Sequence, residues 1–449
     1  MYQLDDNIAA LATPWGKSAI AIIRLSGRDS LINLDKIFKG KKKPSATEGY
    51  TIIYGHIIDP ATEEKIDEVL ISIFKAPNSY TGENSAEINC HGNPVGIQRI
   101  LNILYTNGFR EAEPGEFTLR AFINRKMDLT RAEAVQEIVS AKTEQARELA
   151  LHKLEGKLFS EIDSIKQEIL STIAQVELML DYPEEDANIN INTDKLTDSI
   201  ERIKNLLGTY KTGRILKEGI KIALAGNTNA GKSSLFNLML KEDRAIVSDI
   251  HGTTRDYLES WLSIKGMPVL LYDTAGIRKS EDPIEAEGIK RSRLLMESSN
   301  LVIYIVDSTI GITDEDDDNI SSIEKIKKII KVWNKTDLSK KSPPAGFIPL
   351  SCKTGEGFKE LEDAIIRSVS IAAVEDTHTI VIDSDRQKRC LEESMDALFH
   401  ALDAISNGEP LDIVAVPLRA ALNSLGELTG EINSEDILEQ IFCNFCVGK

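Results

Sequence analysis

The sequence is short of the features that mark secreted and membrane-spanning proteins. Its 449 residues include only five cysteines, an odd number too small for a disulfide scaffold, which favours a reducing, cytoplasmic location. The N-terminal stretch MYQLDDNIAALATPWG lacks the basic and apolar regions of a secretory signal. No run approaches the roughly 18 consecutive apolar residues that a membrane helix needs.

Positive charge is also scarce. Against 71 Asp and Glu stand 53 Lys and Arg, which gives a net charge of −18. Affinity for a nucleic acid backbone comes mainly from Lys and Arg, so the whole chain is a poor candidate for gripping RNA by itself. Action on RNA through a basic partner or a small basic patch stays open. The basic segment KGKKK (39–43) is expected to form a solvated loop tip.

The segment KIALAGNTNAGKS (221–233) carries a clear chemical pattern. Apolar residues 222–225 predict a buried strand, and the helical pattern SLFNLML follows Gly231-Lys232. The segment fits the phosphate-binding pattern G-x-x-x-x-G-K-[ST] between a strand and a helix. Glycines let backbone N–H groups close around phosphate oxygens at the positive end of the helix. Lys232 is expected to reach the β- and γ-phosphates, and the Ser233 hydroxyl to bind Mg²⁺.

Later predicted strands each end in a polar motif. PVLLYDTAG (268–276) ends in D-x-x-G, where Asp273 can hold Mg²⁺ through water and the Gly276 N–H can meet the γ-phosphate. KIIKVWNKTD (328–337) ends in N-K-x-D, and GFIPLSCKTG (346–355) contains Ser-Cys-Lys. Each motif alone is weak. Four in order predict a doubly wound sheet with its ligand at the carboxyl ends of the strands.

The N-K-x-D motif predicts the base. The Asp337 carboxylate can accept hydrogen bonds from the N1–H and the exocyclic amine of guanine, which adenine does not offer. Asn334 is expected to hold the loops together and the Lys335 stem to lie over the base. A backbone N–H at Cys352 or Lys353 would meet the guanine carbonyl. We therefore predict a GTPase domain.

The segments that complete hydrolysis depart from the Ras pattern. Thr254 in DIHGTTRD (249–256) is the candidate that closes on Mg²⁺ when the γ-phosphate is present. Ile277 stands where Ras-type enzymes place a water-orienting Gln. Glu285 is the candidate replacement, with a solvated helix-start carboxylate as the alternative. The Asn229 carbonyl oxygen can bind a monovalent cation in place of an arginine finger.

The rest of the chain predicts two further kinds of domain. Residues 1–120 alternate β-branched runs with turn signals, which predicts an α+β domain with an antiparallel or mixed sheet. The apolar spacing of residues 129–180 predicts long amphipathic helices, and helical patterns return after about residue 374. Each half would expose an apolar stripe, so we expect one helical domain interrupted by an insertion; self-association would bury the stripes too.

The chain closely resembles the tRNA-modification GTPase family known as MnmE or TrmE in the motifs GNTNAGKSSLFN, DIHGTTRD, DTAGIR, NKTD, SYTGE, EPGEFTLRAFINRKMDLTRAEAV and terminal FCVGK. The resemblance spans essentially all 449 residues. It implies a multidomain α+β protein. An N-terminal α+β folate-binding and dimerisation domain (1–120) precedes a discontinuous all-α helical domain (121–215 and 374–449). A Ras-like P-loop α/β GTPase domain (216–373) is inserted into the latter.

The resemblance also implies the chemistry. A homodimer would bind 5-formyl- or 5,10-methylene-tetrahydrofolate and form a heterotetramer with MnmG, an FAD- and NADH-using partner. Together they would install an aminomethyl or carboxymethylaminomethyl group on C5 of the wobble uridine of certain tRNAs. The partner would supply most of the grip on tRNA. GTP hydrolysis would use Mg²⁺ and be stimulated by K⁺.

Family positions carried to this sequence fall into several groups. Folate-contacting positions are Arg24, Glu87, Lys126 and Lys449. Potassium positions are Asn229, Ser248, Ile250 and Thr253. Magnesium positions are Ser233, Thr254 and, through water, Asp273. Catalytic positions are Glu285, Lys232 and Cys446. GTP-binding positions are Asn229, Ala230, Gly231, Lys232, Ser233, Ser234, Ser248, Asp249, Ile250, His251, Gly252, Thr253, Thr254, Asp273, Thr274, Ala275, Gly276, Asn334, Lys335, Asp337, Ser351, Cys352 and Lys353.

Two departures and two rival functions accompany this assignment. His251 stands where the loop often has a small residue, and Ser248 where Thr is common. Cys443 and Cys446 have C-x-x-C spacing. Two buried thiols at the apolar end of a helix are the alternative to a functional role for Cys446. A GTP-gated RNA or ribosome assembly factor is the rival function, although the EPGEF block and the FCVGK tail argue against it. A folate-binding enzyme regulated by GTP is nearly contained in the first hypothesis.

Overall fold

The computed structural model describes residues 5–181, 191, 193–242, 258–273, 295–339, 341–369, 380–432, 435–443 and 445–448. Packing divides the chain into two compact units. The first comprises Met1–Gln136, Leu154–Leu170 and Arg419–Lys449, and the second comprises Glu137–Lys153 and Ser171–Leu418. The domain boundaries expected at residues 120, 215 and 373 stay predictions.

A mixed sheet forms the core of the first unit, as the β-branched runs predict. Its strands lie in the order β3-β4-β5-β6-β2-β1-β7. Neighbouring strands pair antiparallel, except that β1 pairs with β7 in parallel. The strands are β1 Ile8–Leu11, β2 Ile20–Ser26, β3 Phe38–Gly40, β4 Thr51–Ile58, β5 Lys65–Phe74, β6 Ser85–His91 and β7 Arg110–Glu111.

Side-chain alternation gives this sheet one buried face and one outer face. On the buried face, residues such as Ile53 and Ile71 pack in one cluster with helix α2. On the outer face, Ile52 and Leu70 are exposed. The first unit also contains helices α1 Ser30–Leu34, α2 Pro94–Thr106 and α3 Glu116–Ile123.

Helix α2 shows why the sequence folds this way locally. The Asn93 side chain accepts a hydrogen bond from the Val95 N–H at 3.1 Å, and Pro94 occupies a first-turn position whose N–H would have no partner. The helix ends at Asn107-Gly108, where Gly108 has a φ of +91°, the left-handed geometry that ends helices. The buried apolar residues of α2 pack against the buried face of the first sheet.

Long helices follow the first sheet. Their bounds are α4 Leu129–Ser140, α5 Glu144–Leu154, α6 Lys157–Asp181 and α7 Thr193–Glu218. The chain then enters a second sheet through Gly219. None of the helices in the described ranges is both long enough and apolar enough to span a membrane.

The second sheet is the doubly wound sheet that the motifs predict. Its strands lie in the order β13-β12-β11-β8-β10-β9, and all pair in parallel apart from β9, which runs antiparallel to β10. The strands are β8 Ile220–Ala225, β9 Leu258–Ile264, β10 Met267–Asp273, β11 Leu301–Asp307, β12 Lys328–Asn334 and β13 Phe347–Pro349. The accompanying helices are α8 Lys232–Glu242, α9 Asp314–Glu324 and α10 Phe358–Val369.

Separate apolar clusters cover the two faces of this sheet. One centres on residues such as Leu235 and Leu361, from α8 and α10. The other contains Ile320 from α9 with Tyr304 and Trp333. A parallel sheet covered on both faces leaves its carboxyl edge open for a ligand.

Helices from both sides of the insertion pack against each other. The C-terminal helices are α11 Asp385–Ser406, α12 Leu411–Thr429 and α13 Glu435–Phe442. Helix α11 packs against α7, and the Ile382 N–H just before α11 donates to Thr209 Oγ1 at 3.1 Å. This packing agrees with a helical domain that is interrupted in sequence.

Four charged side chains meet where the chain enters and leaves the second sheet. Lys153 Nζ contacts Glu137 Oε2 at 3.0 Å and also pairs with Asp383. Lys217 Nζ lies 2.7 Å from Glu137 Oε1 and 3.1 Å from Asp383 Oδ1. Burial raises the pKa of Glu137. Burial also acts to raise the pKa of Asp383, but Lys153 and Lys217 outweigh it and lower that pKa. The cluster ties α4, α5 and α7 to the segment before α11.

Candidate nucleotide-binding site

The loop between β8 and α8 has the backbone geometry of a phosphate cradle. Gly226, Asn229 and Gly231 have φ values of +137°, +63° and +107°, in the left-handed region that favours glycine. A Cβ on Gly226 would lie 2.2 Å from the Ile305 carbonyl oxygen, and one on Gly231 would lie 2.1 Å from Asn334 Nδ2. Both glycines are therefore required for the loop to approach its neighbours.

Positive charge and hydrogen-bond donors gather at the start of α8. Lys232 is its first residue, and Ser233 and Ser234 are exposed in its first turn. Lys232 Nζ donates to the carbonyl oxygens of Gly226 and Asn227 at 2.7 and 2.8 Å. The ammonium group thus lies over the loop at the positive end of a helix, an arrangement suited to a phosphate chain.

Asn334 links this loop to the base-binding segments. Its side chain is buried; Nδ2 donates to the Ala230 carbonyl at 2.9 Å, and Oδ1 accepts from the Cys352 N–H at 3.2 Å. Because the Cys352 N–H is used in this way, the Lys353 N–H is the better candidate for the guanine carbonyl. Burial also raises the pKa of the Cys352 thiol to about 12, so the thiol stays protonated.

Asp337 presents an oriented carboxylate. The buried Ser351 hydroxyl donates to Asp337 Oδ1 at 2.8 Å, while Ser351 Oγ accepts from the Thr354 N–H at 3.2 Å. Asp337 itself is exposed. One edge of the carboxylate is held by the protein, and the exposed edge can accept the adjacent N–H donors of guanine.

Asp307, which the sequence patterns did not single out, fixes Lys335. Lys335 Nζ lies 2.6 Å from Asp307 Oδ2, and the Thr309 N–H and hydroxyl donate to Oδ1 at 2.9 and 2.7 Å. Burial acts to raise the pKa of Asp307, but the hydrogen bonds from Lys335 and Thr309 outweigh it and lower the pKa. The charged carboxylate therefore holds the Lys335 stem beside the base position. Its sequence signal was an Asp at the end of a buried strand.

Several predicted residues lie outside the described residues. They are Ser248, Asp249, Ile250, His251, Gly252, Thr253, Thr254, Thr274, Ala275, Gly276, Glu285 and Lys449. The backbone of Asp273 ends β10, but its side chain also lies outside the description.

The described residues supply only part of each expected cation site. Within the described ranges, no cluster of three or more His, Cys, Asp or Glu could hold a metal ion. Ser233 places a hydroxyl oxygen in the first turn of α8, and Asn229 is exposed on the phosphate loop. Hydroxyl and amide oxygens are ligands that hard cations accept, so both residues fit the ions assigned to them.

A second polar site lies on the outer face of the first sheet. Arg24 and Glu87 face each other across β2 and β6; Arg24 Nε and Nη2 donate to Glu87 Oε1 at 3.0 and 2.8 Å. Arg24 Nη1 donates to the Gly448 carbonyl at 3.0 Å. Two positions of the expected folate site, Arg24 and Glu87, are therefore brought together beside Gly448.

Aromatic rings and Lys126 border this site. The Arg24 guanidinium carbon lies 5.8 Å from the ring centroids of both Tyr80 and Phe117. Burial raises the pKa of Tyr80, so its hydroxyl stays neutral beside Thr118. Lys126 Nζ donates to the Pro77 carbonyl at 2.9 Å, which ties it to the segment that carries Tyr80.

The segment that begins with EPGEF contributes to a buried network of ion pairs, which its sequence alone did not indicate. Glu116 and Arg120 are 0% and 1% exposed and form an ion pair at 2.8 Å. Arg120 also contacts Asp6 and Glu83 at 2.8 and 3.2 Å. Burial acts to raise the pKa of Glu116, but hydrogen bonds, the largest from Arg110, lower it. These charges anchor the N-terminal strand and the SYTGE segment.

Gly115 lets the C-terminal tail dock. A Cβ on Gly115, whose φ is +71°, would lie 2.8 Å from the Phe442 carbonyl oxygen. The rings of Phe442 and Phe445 are tilted by 43° with centroids 5.2 Å apart, and both residues pack on α3 and α4 residues. The packing places Gly448 against β1, where its Cβ would lie 2.5 Å from the Leu11 carbonyl oxygen.

Within the described residues, Cys443, Cys446 and His91 belong to no metal-binding cluster. Cys443 and Cys446 are free and exposed, so the explanation by two buried thiols is wrong. His91 Nδ1 lies 2.7 Å from Asp67 Oδ1, and this hydrogen bond raises the pKa of His91.

The doubly wound sheet, the phosphate loop after β8 and the oriented Asp337 define a P-loop GTPase. Family comparisons sharpen that class. Residues 7–126 match the model described as "GTP-binding protein TrmE N-terminus", and residues 129–446 match "MnmE helical domain". The chain therefore belongs to the MnmE family of tRNA modification GTPases.

Relatives along the full length support this assignment. The chain is 40% identical to tRNA modification GTPase MnmE of Carboxydothermus hydrogenoformans, with 99% of this chain and 100% of that protein aligned. It is 41% identical to the MnmE of Borreliella burgdorferi (strain ZS7), with 100% and 99% aligned. Among solved structures, the G domain of the T. maritima FeoB iron transporter is 28% identical, with 34% of this chain and 99% of that domain covered. Its TM-score of 0.26 is too low for a structural inference.

Proposed function

We propose that this chain is the GTP-hydrolysing subunit of a complex that modifies C5 of the wobble uridine in certain tRNAs. With an FAD-dependent partner of the MnmG type, it adds an aminomethyl or carboxymethylaminomethyl group taken from a tetrahydrofolate. The observation that carries the proposal is the Arg24–Gly448 hydrogen bond. It joins residues at opposite ends of the chain at one polar site, separate in sequence from the GTPase segment.

The first sheet supports folate binding by its chemistry. A pteridine ring offers a flat aromatic surface and adjacent N–H donors, and its glutamate tail is anionic. Glu87 provides a carboxylate acceptor, the partly exposed Tyr80 provides an aromatic surface, and Arg24 and Lys126 provide positive charge. The terminal Lys449 would add another cation beside Gly448. The bound folate would supply the one-carbon unit.

The nucleotide site supports GTP hydrolysis assisted by two cations. Lys232 would bind the β- and γ-phosphates, and Ser233 would hold Mg²⁺ with Thr254 and, through water, Asp273. Asn229 would hold K⁺ with Ser248, Ile250 and Thr253, which supplies positive charge where no arginine finger is seen in the sequence. Glu285 would orient the attacking water. In this proposal Glu285→Ala loses turnover but keeps GTP affinity. Normal turnover by this variant would favour the alternative, in which Glu285 is a solvated carboxylate at the start of a helix.

The proposed assembly is a homodimer that joins two partner subunits. Exposed apolar residues on the outer face of the first sheet, Ile20 and Leu70 at 61% and 48% exposure, favour association of this unit with a second copy. Because the chain is acidic, the partner would provide most of the basic surface for tRNA. In this proposal the complex works in the cytoplasm, where it meets its tRNA substrate. Cys446, exposed on the docked tail, is the side chain that would face the modification chemistry.

Reconstitution with a labelled carbon donor tests the proposal. The full chain, its FAD-dependent partner, tRNA, GTP, NADH and labelled methylene-tetrahydrofolate should transfer label to the wobble uridine. Arg24→Gln should reduce transfer and weaken folate binding at least tenfold, since it removes a cation that also holds the tail. Arg99→Gln, which breaks the exposed ion pair with Glu64, is the matched control and should transfer normally. Equal transfer by both variants would contradict the folate role of Arg24.

A further inference from the structure

An uncompensated positive patch lies beyond the edge strand β3. Residues 36–50 carry five lysines and one acidic residue, Glu48, in a chain of net charge −18. We call Lys39, Lys41, Lys42 and Lys43 the basic loop. All four side chains are exposed. No carboxylate in the described part of the chain lies within 4.0 Å of their ammonium groups.

The basic loop is held in one shape. Asp35 accepts hydrogen bonds from the Ser45 N–H and hydroxyl at 3.0 and 2.5 Å. The Thr47 hydroxyl donates to the Lys43 carbonyl at 2.8 Å, and the buried Pro44 begins a 3₁₀ turn. Because these bonds order the backbone from Lys43 onward, that side of the loop would lose little conformational entropy on binding a partner.

An exposed aromatic ring accompanies the basic loop. Tyr50 is 72% exposed and has a φ of +58°, an uncommon conformation for a bulky residue that often marks a functional site. Its ring packs edge-on against Phe74 at 5.9 Å. Lys75, the residue after β5, donates from Nζ to the Ser45 carbonyl at 3.2 Å, which connects the neighbour of Phe74 to the 3₁₀ turn after the basic loop.

Protection of a sheet edge does not explain the whole arrangement. Charged residues on edge strands prevent unwanted pairing with other sheets, and Lys39 lies within the edge strand β3. Residues 41–43, however, lie beyond Gly40, the last residue that pairs with β4. Edge protection also gives no reason for an exposed Tyr50.

We propose that the basic loop and Tyr50 form an RNA-contact surface, where the lysines bind phosphates and Tyr50 stacks on an unpaired base. Lysines neutralise backbone phosphates without sequence preference, and an aromatic ring in a single-stranded site strengthens binding by roughly tenfold per stacked base. The inference deepens the proposed function, because a tRNA loop offers both groups. An acidic peptide or an anionic membrane would use the charge but would not need the ring.

The salt dependence of tRNA binding tests the basic loop. The quadruple Lys→Gln variant at positions 39, 41, 42 and 43 should bind tRNA at least tenfold more weakly at low salt. The slope of log affinity against log salt should fall in magnitude by up to about 3, at about 0.7 per lost phosphate contact. The unfolding temperature should stay within a few degrees of wild type, since these side chains make few contacts.

A control with the same change of charge excludes a general electrostatic effect. Lys65, Lys204, Lys211 and Lys325 are exposed on other elements, and their quadruple Gln variant should keep the wild-type slope. An equal loss in both variants, or wild-type binding by the basic-loop variant, would overturn the proposal. So would lysine-dependent binding to phosphatidylserine vesicles or to polyglutamate while tRNA affinity stays unchanged.

Substitutions of Tyr50 separate stacking from charge. Tyr50→Phe keeps the ring and should bind tRNA like wild type. Tyr50→Asn tolerates the left-handed backbone and should lose at least fivefold in affinity without a change in salt slope. Equal affinities for the two variants would contradict stacking. Failure of the proposed function is a separate result, because it would appear as no label transfer by the wild-type complex.

Discussion

Exchange of one atom at Asp337 tests how the site selects its base. In Asp337→Asn an oxygen of the carboxylate becomes an NH₂ group. The Ser351 hydroxyl, which donates to Oδ1 at 2.8 Å, favours the amide oxygen on its own side. The NH₂ group should then face the base, where it would meet the N–H donors of guanine but can donate to the 2-carbonyl of xanthine.

The structure sets the size of the effect. Guanine would lose two hydrogen bonds to a charged acceptor, each worth about 1.5–3 kcal/mol. A total of about 3–6 kcal/mol corresponds to a loss of roughly 10²- to 10⁴-fold in GTP affinity. Xanthosine triphosphate should bind more tightly, because an NH₂ donor replaces a carboxylate that repels the 2-carbonyl of xanthine.

Competition between fluorescent guanine and xanthine nucleotides measures the change in the full chain. Ser351→Ala is the matched control, since it removes one hydrogen bond to the carboxylate and should weaken GTP by only about fivefold, near 1 kcal/mol, without a change in preference. If Asp337→Asn still prefers GTP as strongly as wild type, Asp337 does not select the base.

Three other predictions concern stability, the tail and the cation. Lys153→Met leaves Glu137 with a single lysine partner in a buried cluster, so urea unfolding near pH 7.5 should lose about 3–5 kcal/mol. Burial already raises the pKa of Glu137; stability from such a carboxyl is present below its unfolded pKa and lost as pH rises through the folded pKa. The deficit should therefore shrink at about pH 5, and a pH-independent deficit would contradict the charge argument. Phe445→Ala removes a buried ring worth about 3–5 kcal/mol, so the tail should undock and folate affinity fall at least tenfold, whereas Val447→Ala at an exposed position should not; equal folate affinities would exclude tail docking. Replacing K⁺ by Na⁺ should sharply lower GTP turnover in wild type but not in Asn229→Ala, and equal wild-type rates in both salts would exclude the cation site.

The GTPase segment was predictable because its motifs sit at strand ends. The segments ending in Asp273 and Asn334 are strands as expected. Asp307 escaped notice because its role depends on Lys335, 28 residues later. A single Asp at a strand end carries no pattern until the fold brings its partner near.

The first sheet was harder to predict from sequence. The polar segment Ser85–His91 is strand β6. Its polar side chains after Ser85 lie on the outer face of the sheet, while Ala86 and Ile88 are buried. Short strands such as β3 and β7 gave no periodic signal. The burial of Arg120 gave no sequence signal because its partner Asp6 lies more than 100 residues away.

Nucleoside mass spectrometry of tRNA from cells that lack this chain shows whether the chain is needed for wobble-uridine modification. The wobble uridine should lose its aminomethyl or carboxymethylaminomethyl group at C5, and the wild-type chain should restore it. Full modification of the wobble uridine in cells without the chain would contradict the proposed function.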